Sequence, residues 1–416
     1  MPGLAVSFEG IPDVRAEMRT AEFWLERDRA EQPGRSRSQA RAAVSGGLID
    51  LDSVSALPRP ALPDDDPPPG YRRNGRPWGR AAWGALAGRV HAARGIPADL
   101  AVTVERVSLR RWPTREPAFR APADREFDQW QVTGVHLMEP VRILAETADR
   151  DWAFIAARIA AGWVPARSIA RATSAQWESV MRLEHPVVAV ASGVATEAAP
   201  YDMVVTHQPV EFGAWLLPSD VEHVSGQHRM GHVGVLYPVR DADGWLVLHP
   251  ALVKDNGRVS RGFLAFTRAS VLRAAFTQLG DRYDWGDRLG NHDCSSLVMD
   301  AYRTVGVQIP RNSGVQSRSL PHRMRWTDQD DTPRRLHDLA AARAGDLLHM
   351  PGHVLLYLGS ESGTPFALHA FVGYGVCDGD TIRSVLVNAV EVSTLTVPTR
   401  SGPSFLQALT GVSHLV

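Results

Sequence analysis

The sequence predicts a multidomain protein, with a helical, loop-rich N-terminal segment, two small β-barrels and a C-terminal α+β domain. Three observations support this fold class. The chain has 416 residues, too many for one ordinary hydrophobic core. The apolar residues change from helical spacing to short alternating runs, and then back to helical spacing. Helices followed by an antiparallel sheet, as predicted after residue 263, are typical of an α+β domain.

The composition is that of an ordinary globular protein. Hydrophobic residues make up 44% and charged residues 22%, and the formal net charge is −1. A charge so near zero creates no overall field towards nucleic acid, so we expect no nucleic-acid partner. No apolar run approaches the length of a membrane span. The start shows no secretory signal, so the location stays open: the protein is intracellular, or its leader is missing from this sequence and it acts in the cell envelope.

Residues 1–100 are predicted to form the helical segment. The run AEFWLERDRA (residues 21–30) has the spacing of a short amphipathic helix. A second helix, RAAWGALAGRVHAARG, is expected to stop at Gly95 in a left-handed conformation. The proline-rich run 57–79 predicts an extended surface loop. None of these patterns indicates chemistry, so we expect a packing or stabilising role.

The two barrels are predicted at residues 101–172 and 173–262. In the first, residues 140–170 contain short alternating runs broken by turn residues. The second continues the pattern in HPVVAVAS, YDMVVT, GHVGVLYPV and GWLVLHP. Strands this short and close together favour small barrels.

Residues 263–416 are predicted to form the α+β domain. Ser270 is expected to cap a helix that runs to Leu279. A second helix follows Asp293 and stops at Gly306, and the runs AGDLLHMPGHVLLYLG and PFALHAFVGYG predict strands.

Cys294 is the first candidate for chemistry, because it occupies the first position of that second helix. Asp293 before it is a good N-cap. The positive end of a helix favours a thiolate, and first-turn N–H groups can stabilise a developing oxyanion. The alternative is an inert, buried core cysteine.

Two histidines on successive predicted strands favour the catalytic interpretation. A nucleophilic cysteine needs a base and the base needs an orienting partner, roles that His353 and His369 can fill. A metal site made of Cys294 and both histidines is a weaker alternative, since the spacing is not that of a zinc site. We expect His292 to face solvent, and His349 stays open as a substrate contact.

At this point the residues carry a resemblance. The run YDWGDRLGNHDCSSLVMDAYRTVGVQIPRNSGVQSRS (residues 283–319), followed by GDLLHMPGHVLLYLG and ALHAF, resembles the NlpC/P60 cysteine peptidases. That family has a papain-like α+β domain and cuts peptidoglycan stem peptides. The order of the upstream regions resembles members with an N-terminal stabilising segment and two bacterial SH3-like domains.

The resemblance implies a role for each matching residue. Cys294 matches the nucleophile, His353 the base and His369 the third residue, while Tyr283 matches a tyrosine at the oxyanion site. The remaining matches lie on the substrate side and are Asp293, Ser295 and Ser313, with Asn312 standing where some relatives carry an acid. No metal or organic cofactor is implied.

The sequence also departs from the family pattern. Asp287 and Ser296 stand where glycines are usual, and Ala160 and Ala161 stand near the place of a tyrosine. Together with Asn312, these alanines argue against a requirement for a free L-alanine amine. We therefore expect stem peptides still attached to glycan to be accepted.

The resemblance predicts a peptidoglycan hydrolase that cuts between γ-D-glutamate and the diamino acid, with stem peptides as its partners. Three alternatives remain at this point. They are an amidase that cuts between N-acetylmuramate and L-alanine, an acyltransferase on the same fold, and a non-catalytic wall-binding protein.

Overall fold

The computed structural model describes residues 10–28, 35–64, 66–379 and 381–416. The chain forms two compact units. The first unit comprises Met1–Gly47, Leu264–Tyr283 and Asn291–Val416, and the second comprises Leu48–Phe263 and Asp284–Gly290. The predicted N-terminal segment is thus divided between the units, while the predicted four-domain division stays a prediction. Within the described residues, no helix is both long and apolar enough to cross a membrane.

The start of the chain packs within the first unit. It contains a 3₁₀ turn (Ala16–Arg19) and the helices α1 (Ala21–Leu25) and α2 (Arg37–Ala43). The predicted helix over residues 21–30 is observed as α1, and residues 29 and 30 lie outside the described ranges. Trp24 is fully buried and lies 5.3 Å from the ring of Phe366. These contacts agree with a packing role for this segment.

The second unit begins with α3 (Arg80–His91) and an antiparallel sheet. The seven strands of this sheet within residues 66–263 are β1 (Arg94–Thr103), β2 (Val107–Arg110), β3 (Gln131–Val135), β4 (Pro140–Glu146), β5 (Trp152–Ala157), β6 (Ala160–Pro165) and β7 (Ile169–Arg171), in the spatial order β3-β2-β6-β5-β4-β1-β7. The prediction for Gly95 is wrong. This residue pairs with Ala145 inside β1, so it is extended, and the strand begins at Arg94, seven residues before the predicted barrel.

A helix, α4 (Ser174–Met181), leads into the second sheet. The strands of this part are β8 (Val187–Ala189), β9 (Val194–Glu197), β10 (Pro209–Val210), β11 (Trp215–Pro218), β12 (His223–Val224), β13 (Gln227–His228), β14 (His232–Arg240), β15 (Leu246–Lys254) and β16 (Val259–Arg261). All but β12 and β13 join in the order β10-β9-β15-β14-β11-β8-β16. One apolar cluster includes buried side chains of both sheets, among them Val102, Leu137, Val235 and Val253.

Helices and one antiparallel sheet complete the first unit. The helices are α5 (Arg268–Phe276), α6 (Cys294–Thr304), α7 (Ser313–Ser319), α8 (Thr332–Leu339) and α9 (Phe405–Ala408). The strands are β17 (His322–Arg325), β18 (Leu347–Met350), β19 (His353–Glu361), β20 (Thr364–Asp378), β21 (Thr381–Thr394) and β22 (Gly411–Ser413), in the order β17-β22-β18-β19-β20-β21. The predicted α+β order of these elements is confirmed. The cap of α5 is Thr267 and not Ser270, because Thr267 Oγ1 accepts the N–H of Ser270.

The turn between β18 and β19 sets the start of the strand that carries the first histidine. Met350 pairs with His353, so Pro351 and Gly352 form a two-residue turn. Gly352 has φ +74°, a left-handed conformation that favours glycine. His353 therefore lies at the first position of β19, at the same end of the sheet as the turn.

Candidate active site

Cys294 begins α6, as the sequence predicts. Asp293 Oδ1 accepts the backbone N–H groups of Ser295 at 3.1 Å and Ser296 at 3.0 Å. The hydroxyl of Ser296 in turn accepts the N–H of Asp293 at 3.0 Å. This reciprocal capping box fixes the first turn of the helix, and with it the direction of the Cys294 side chain.

The helix is buried around its whole circumference. Its polar residues Asp300, Arg303 and Thr304 are as buried as its one leucine. Asp300 lies 3.2 Å from His292 Nε2, and this contact explains why the prediction for His292 is wrong. His292 is buried because it satisfies a carboxylate that the helix carries inside the core.

The thiol of Cys294 is less acidic than the helix position alone suggested. Burial, and then the Asp293 carboxylate beside it, raises its pKa to about 12. Hydrogen bonding to the N–H of Val354 and the charge of Arg311 oppose this increase without overcoming it. The expectation of a resting thiolate is therefore wrong. The contact with Val354 also joins the thiol to the start of β19, one residue after His353.

A line of hydrogen bonds extends from His353 into the sheet. His353 Nε2 lies 2.8 Å from His369 Nδ1, and His369 Nε2 lies 2.7 Å from the hydroxyl of Ser393 on β21. The His369 ring is fully buried and stacks on Phe371, with centroids 3.9 Å apart. Phe405 meets the same ring edge-on. The packing and the serine hold His369 in one orientation, and His369 in turn orients His353.

Both imidazoles are held in the neutral form. Burial lowers the pKa of His353 to about 4, although the charge of Asp293 acts in the opposite direction. The pKa of His369 lies well below its ordinary value because of burial, and then because of the neighbouring His353. His353 Nε2 is engaged by His369, which leaves Nδ1 as the nitrogen that can exchange a proton with a thiol.

Asp293 and Ser295 form one cluster with a residue that the sequence analysis did not single out. Arg311 donates to both Asp293 carboxylate oxygens, at 3.0 and 2.6 Å, and to the Ser295 hydroxyl at 2.8 Å. Burial raises the pKa of Asp293, but the charge and hydrogen bonds of Arg311 outweigh it and the pKa is lowered. An arginine directly before Asn312 and Ser313 was the available signal.

Asn312 and Ser313 mark the start of α7. Asn312 is the N-cap, and its Oδ1 accepts the N–H groups of Gly314 at 2.9 Å and Val315 at 3.3 Å. Ser313 is the first helical residue and is buried. Ala160 and Ala161 lie on β6 of the second unit. Because Asn312 caps α7, this residue, which departs from the family pattern, has a local structural role. An aspartate would preserve that role.

A cavity of about 540 Å³ opens beside His353 within the first unit. Tyr283, Phe371 and Phe405 contribute aromatic walls, and Arg400 contributes a cation. Tyr283 thus lies on the same cavity as His353. The size is that of a small-molecule or short-peptide site.

Comparison with protein families bears on this geometry. A model described as the NlpC/P60 family matches residues 280–387, a span that contains Tyr283, Cys294, His353 and His369. The chain carries an NlpC/P60 domain. A second model, described as an SH3 domain of the SH3b1 type, matches residues 117–165 upstream of it. A multidomain layout with an SH3 domain before a C-terminal NlpC/P60 domain is therefore confirmed.

Individual relatives match only part of the chain. A probable endopeptidase of Mycobacterium tuberculosis is 45% identical over 47 residues, which are 11% of this chain and 12% of the relative. A probable endopeptidase of Corynebacterium glutamicum is 31% identical over 131 residues, or 29% of this chain and 56% of the relative. The chain therefore spans well under two thirds of these relatives.

One solved structure is similar over most of the chain. It is described as a novel NlpC/P60 endopeptidase from Photobacterium damselae subsp. piscicida, with a TM-score of 0.70 and 17% identity. The match covers 84% of this chain and 81% of that one. At this identity the similarity establishes a shared fold.

Two departures of the NlpC/P60 domain from the usual glycines have local explanations. Ser296 supplies the hydroxyl of the capping box, which a glycine lacks. Asp287 keeps the left-handed backbone of the glycine it replaces, with φ +59°. Arg106, in the same unit, pairs with the Asp287 carboxylate at 2.5 Å and donates to its carbonyl at 2.7 Å. Aspartate tolerates this backbone conformation better than most residues.

The geometry also bears on the metal alternative. His353 Nε2 and His369 Nδ1 are hydrogen-bonded to each other, so these two nitrogens cannot point at one common ion. In the described part of the chain, no group of three or more His, Cys, Asp or Glu side chains is arranged to hold a metal ion.

Proposed function

We propose that the protein is a cysteine endopeptidase that hydrolyses peptidoglycan stem peptides between γ-D-glutamate and the diamino acid. Cys294 is the nucleophile, His353 the base and His369 the residue that orients the base. The observation that carries this proposal is the line from Ser393 through His369 to His353, which ends beside the first turn of the Cys294 helix. The named endopeptidases among the relatives support the reaction class.

The first step is acylation of Cys294. Because burial favours the neutral thiol and the neutral imidazole, the proton moves to His353 Nδ1 as the sulfur attacks the γ-carbonyl carbon. The tetrahedral intermediate collapses when the C–N bond breaks. His353 then gives the proton to the leaving amine of the diamino acid, and a thioester remains on Cys294.

The second step is hydrolysis of the thioester. His353 removes a proton from water, and the resulting hydroxide attacks the thioester carbon. The C–S bond breaks, the γ-carboxylate of D-glutamate leaves, and the proton returns to the sulfur. The stack on Phe371 and the bond to Ser393 keep His369 in place through both steps, so the base does not need to be repositioned.

The donors for the oxyanion are fewer than a helix N-terminus usually provides. The N–H groups of Ser295 and Ser296 already donate to Asp293. The N–H of Cys294 therefore remains in the first turn, and the Tyr283 hydroxyl is the second proposed donor. Two donors of this kind are sufficient for an oxyanion hole.

Charged groups near the site suggest how the substrate is held. Arg311 fixes Asp293 and Ser295, which we assign with Ser313 to the side of the D-glutamate. Arg400 lines the cavity at His353, where the leaving amine is protonated. A guanidinium there suits a carboxylate of the diamino acid or of the residue that follows it.

The test is digestion of purified sacculi in ¹⁸O-labelled water, with Cys294→Ala as control. A muramidase digestion in ordinary water then releases disaccharide units for mass analysis. The proposal requires disaccharide-L-Ala-D-Glu fragments that carry one ¹⁸O in the γ-carboxylate. Free stem peptides beginning with L-alanine would indicate an amidase. A γ-glutamyl product joined to an added amine would indicate an acyltransferase, and binding without fragments would indicate a wall-binding protein.

A further inference from the structure

The surface of the second unit contains two adjoining open cavities that none of the residues assigned to catalysis line. Their volumes are about 400 and 420 Å³, and both are lined by Arg115, Trp152 and Pro165. Five arginines line the first cavity and four line the second, with Arg115 common to both. Only one acidic residue lines each, Glu105 in the first and Asp151 in the second. We call the two cavities together the arginine groove.

The cations of this groove are of two kinds. Arg110 is buried in the floor, where it pairs with Asp128 at 2.5 Å and contacts Gln131 at 3.0 Å, and Arg106 pairs with Asp287. By contrast, Arg73, Arg115 and Arg167 are exposed, and among the described residues no carboxylate forms an ion pair with their guanidinium groups, although the backbone N–H of Arg73 donates to Glu116 at 3.0 Å. Arg106 and Arg110 are thus paired parts of the groove wall. Arg73, Arg115 and Arg167 leave uncompensated positive charge at its rim.

The arginines are close enough to repel one another. Burial lowers the pKa of Arg110, Asp128 opposes this, and the charges of Arg288 and Arg73 lower it further. A protein with net charge −1 gains nothing in stability from concentrating like charges on one face. Such an arrangement costs free energy in the unliganded fold, and a bound anion relieves that cost.

We propose that the arginine groove binds a linear, uniformly anionic polymer whose charges are phosphodiesters. Guanidinium groups recognise phosphate oxygens in pairs, and the two cavities offer room for successive repeats of such a chain. A stem peptide fits less well, because its amine needs an acidic partner. Among the residues that line the groove, only Glu105 and Asp151 are acidic. This binding is separate from the proposed hydrolysis and does not depend on it.

The groove is also a poor match for single-stranded nucleic acid. Binding of bases without sequence preference relies on exposed aromatic faces for stacking. The aromatic residue that lines the groove, Trp152, is only 7% exposed. A nucleic acid would therefore contact the groove through its backbone phosphates. A phosphodiester polymer without bases provides the same contacts.

The test is binding of the full chain to fluorescently labelled poly(glycerol phosphate), measured by anisotropy at low and moderate salt. The groove variant is Arg73→Gln/Arg115→Gln/Arg167→Gln. The matched control is Arg76→Gln/Arg120→Gln/Arg125→Gln, which removes the same charge from exposed positions outside the groove. We expect the groove variant to bind about tenfold or more weakly with a smaller salt dependence, and the control to bind within about twofold of the wild type.

Hydrolysis of a soluble tripeptide shows whether the variants are folded, since neither set touches the catalytic residues. The single variant Arg115→Gln, expected to bind about threefold more weakly, serves if the triple variant does not fold. Equal weakening in groove and control variants would overturn the proposal, because it would indicate unspecific attraction. Tighter binding of polygalacturonate, a polycarboxylate, or of single-stranded DNA would likewise overturn the assignment to a phosphodiester polymer without bases.

Discussion

His349 and His369 are two buried histidines with similar surroundings that differ in one contact. Both are fully buried in the same sheet, and each places Nε2 on a serine of a neighbouring strand, Ser413 at 2.9 Å and Ser393 at 2.7 Å. Burial lowers the pKa of both, that of His349 to about 3. They differ at Nδ1. His369 contacts His353 there, whereas His349 Nδ1 has no hydrogen-bond partner within the described residues.

The difference between them arises from strand register. His369 lies on β20, beside the end of β19 where His353 begins the strand. His349 lies on β18, on the other side of β19, and points its Nε2 towards β22. Burial and a serine partner are thus common to both histidines. Only His369 also contacts His353, the residue proposed as the base.

The largest effect is expected from removing the thiol itself. Cys294→Ala should reduce hydrolysis of stem peptides to background, because no other group can form the thioester. The fold should persist, since the capping box rests on Asp293 and Ser296. Cys377→Ala is the matched control, as that cysteine is exposed on β20, and it should retain full activity. Activity in purified Cys294→Ala protein would refute the assignment of the nucleophile.

Loss of the base should come next. His353→Ala should lower kcat/KM by roughly 10²- to 10⁴-fold, the usual contribution of a general base. The measurement is steady-state hydrolysis of a soluble tripeptide. The double variant with Cys294→Ala should be no worse than Cys294→Ala alone, because the two groups act as a unit. A decrease of only a few-fold would mean that another group takes the proton.

The two buried histidines then offer a direct test of the comparison. His369→Asn should lower kcat/KM by about tenfold, because an amide can still hold the His353 ring but loses part of one hydrogen bond. His349→Asn should leave kcat/KM within about twofold. Both variants lose a buried ring bonded to serine, so their melting temperatures should fall to similar extents. Equal losses of activity in the two variants would show that activity depends on the buried histidine rings and not on the contact between His369 and His353.

The pH profile should reflect the partly buried base. His353 must be neutral to accept the thiol proton, and its pKa is lowered to about 4. Activity should therefore persist on acidification and reach half of its maximum near about pH 4, well below the value of about 6.5 for an ordinary histidine. The profile of kcat/KM for the wild type and His349→Asn should coincide. An acid limb centred near about 6.5 would contradict the neutral, buried pair.

The smallest effect concerns the amine end of the substrate. Asn312→Asp keeps the cap of α7 and adds a negative charge. Because Asn312 is exposed, the new attraction for a free L-alanine amine should be screened, amounting to about 0.2–1 kcal/mol. The ratio of kcat/KM for free tripeptide to that for glycan-linked peptide should thus rise by a few-fold at most. A strong preference of the wild type for free tripeptide would contradict the expectation, drawn from the sequence at Asn312, Ala160 and Ala161, that a free L-alanine amine is not required.

Local patterns predicted much of the first unit. The cap at Asp293, the helix after it and the strands that carry His353 and His369 follow from apolar period and capping residues. These are short-range features, so neighbouring residues in the sequence contain the information. The helix or strand that carries each predicted site residue could therefore be predicted from the sequence, although the contacts of that residue could not.

Contacts between distant parts of the chain were not accessible in this way. Ser393, Arg311 and the burial of His292 each depend on which elements pack together. The direction of the Cys294 pKa was missed for the same reason. The helix position was visible in the sequence, but the burial that outweighs it was not.

The most direct measurement of the central claim is trapping of the acyl-enzyme. A tripeptide reaction quenched by acid within milliseconds to seconds should yield a peptide containing Cys294 that carries the L-Ala-D-Glu acyl group as a thioester. The adduct should form more slowly in His353→Ala and at nearly the wild-type rate in His349→Asn. An adduct on Cys377, or continued hydrolysis by Cys294→Ala protein without any adduct, would contradict the account.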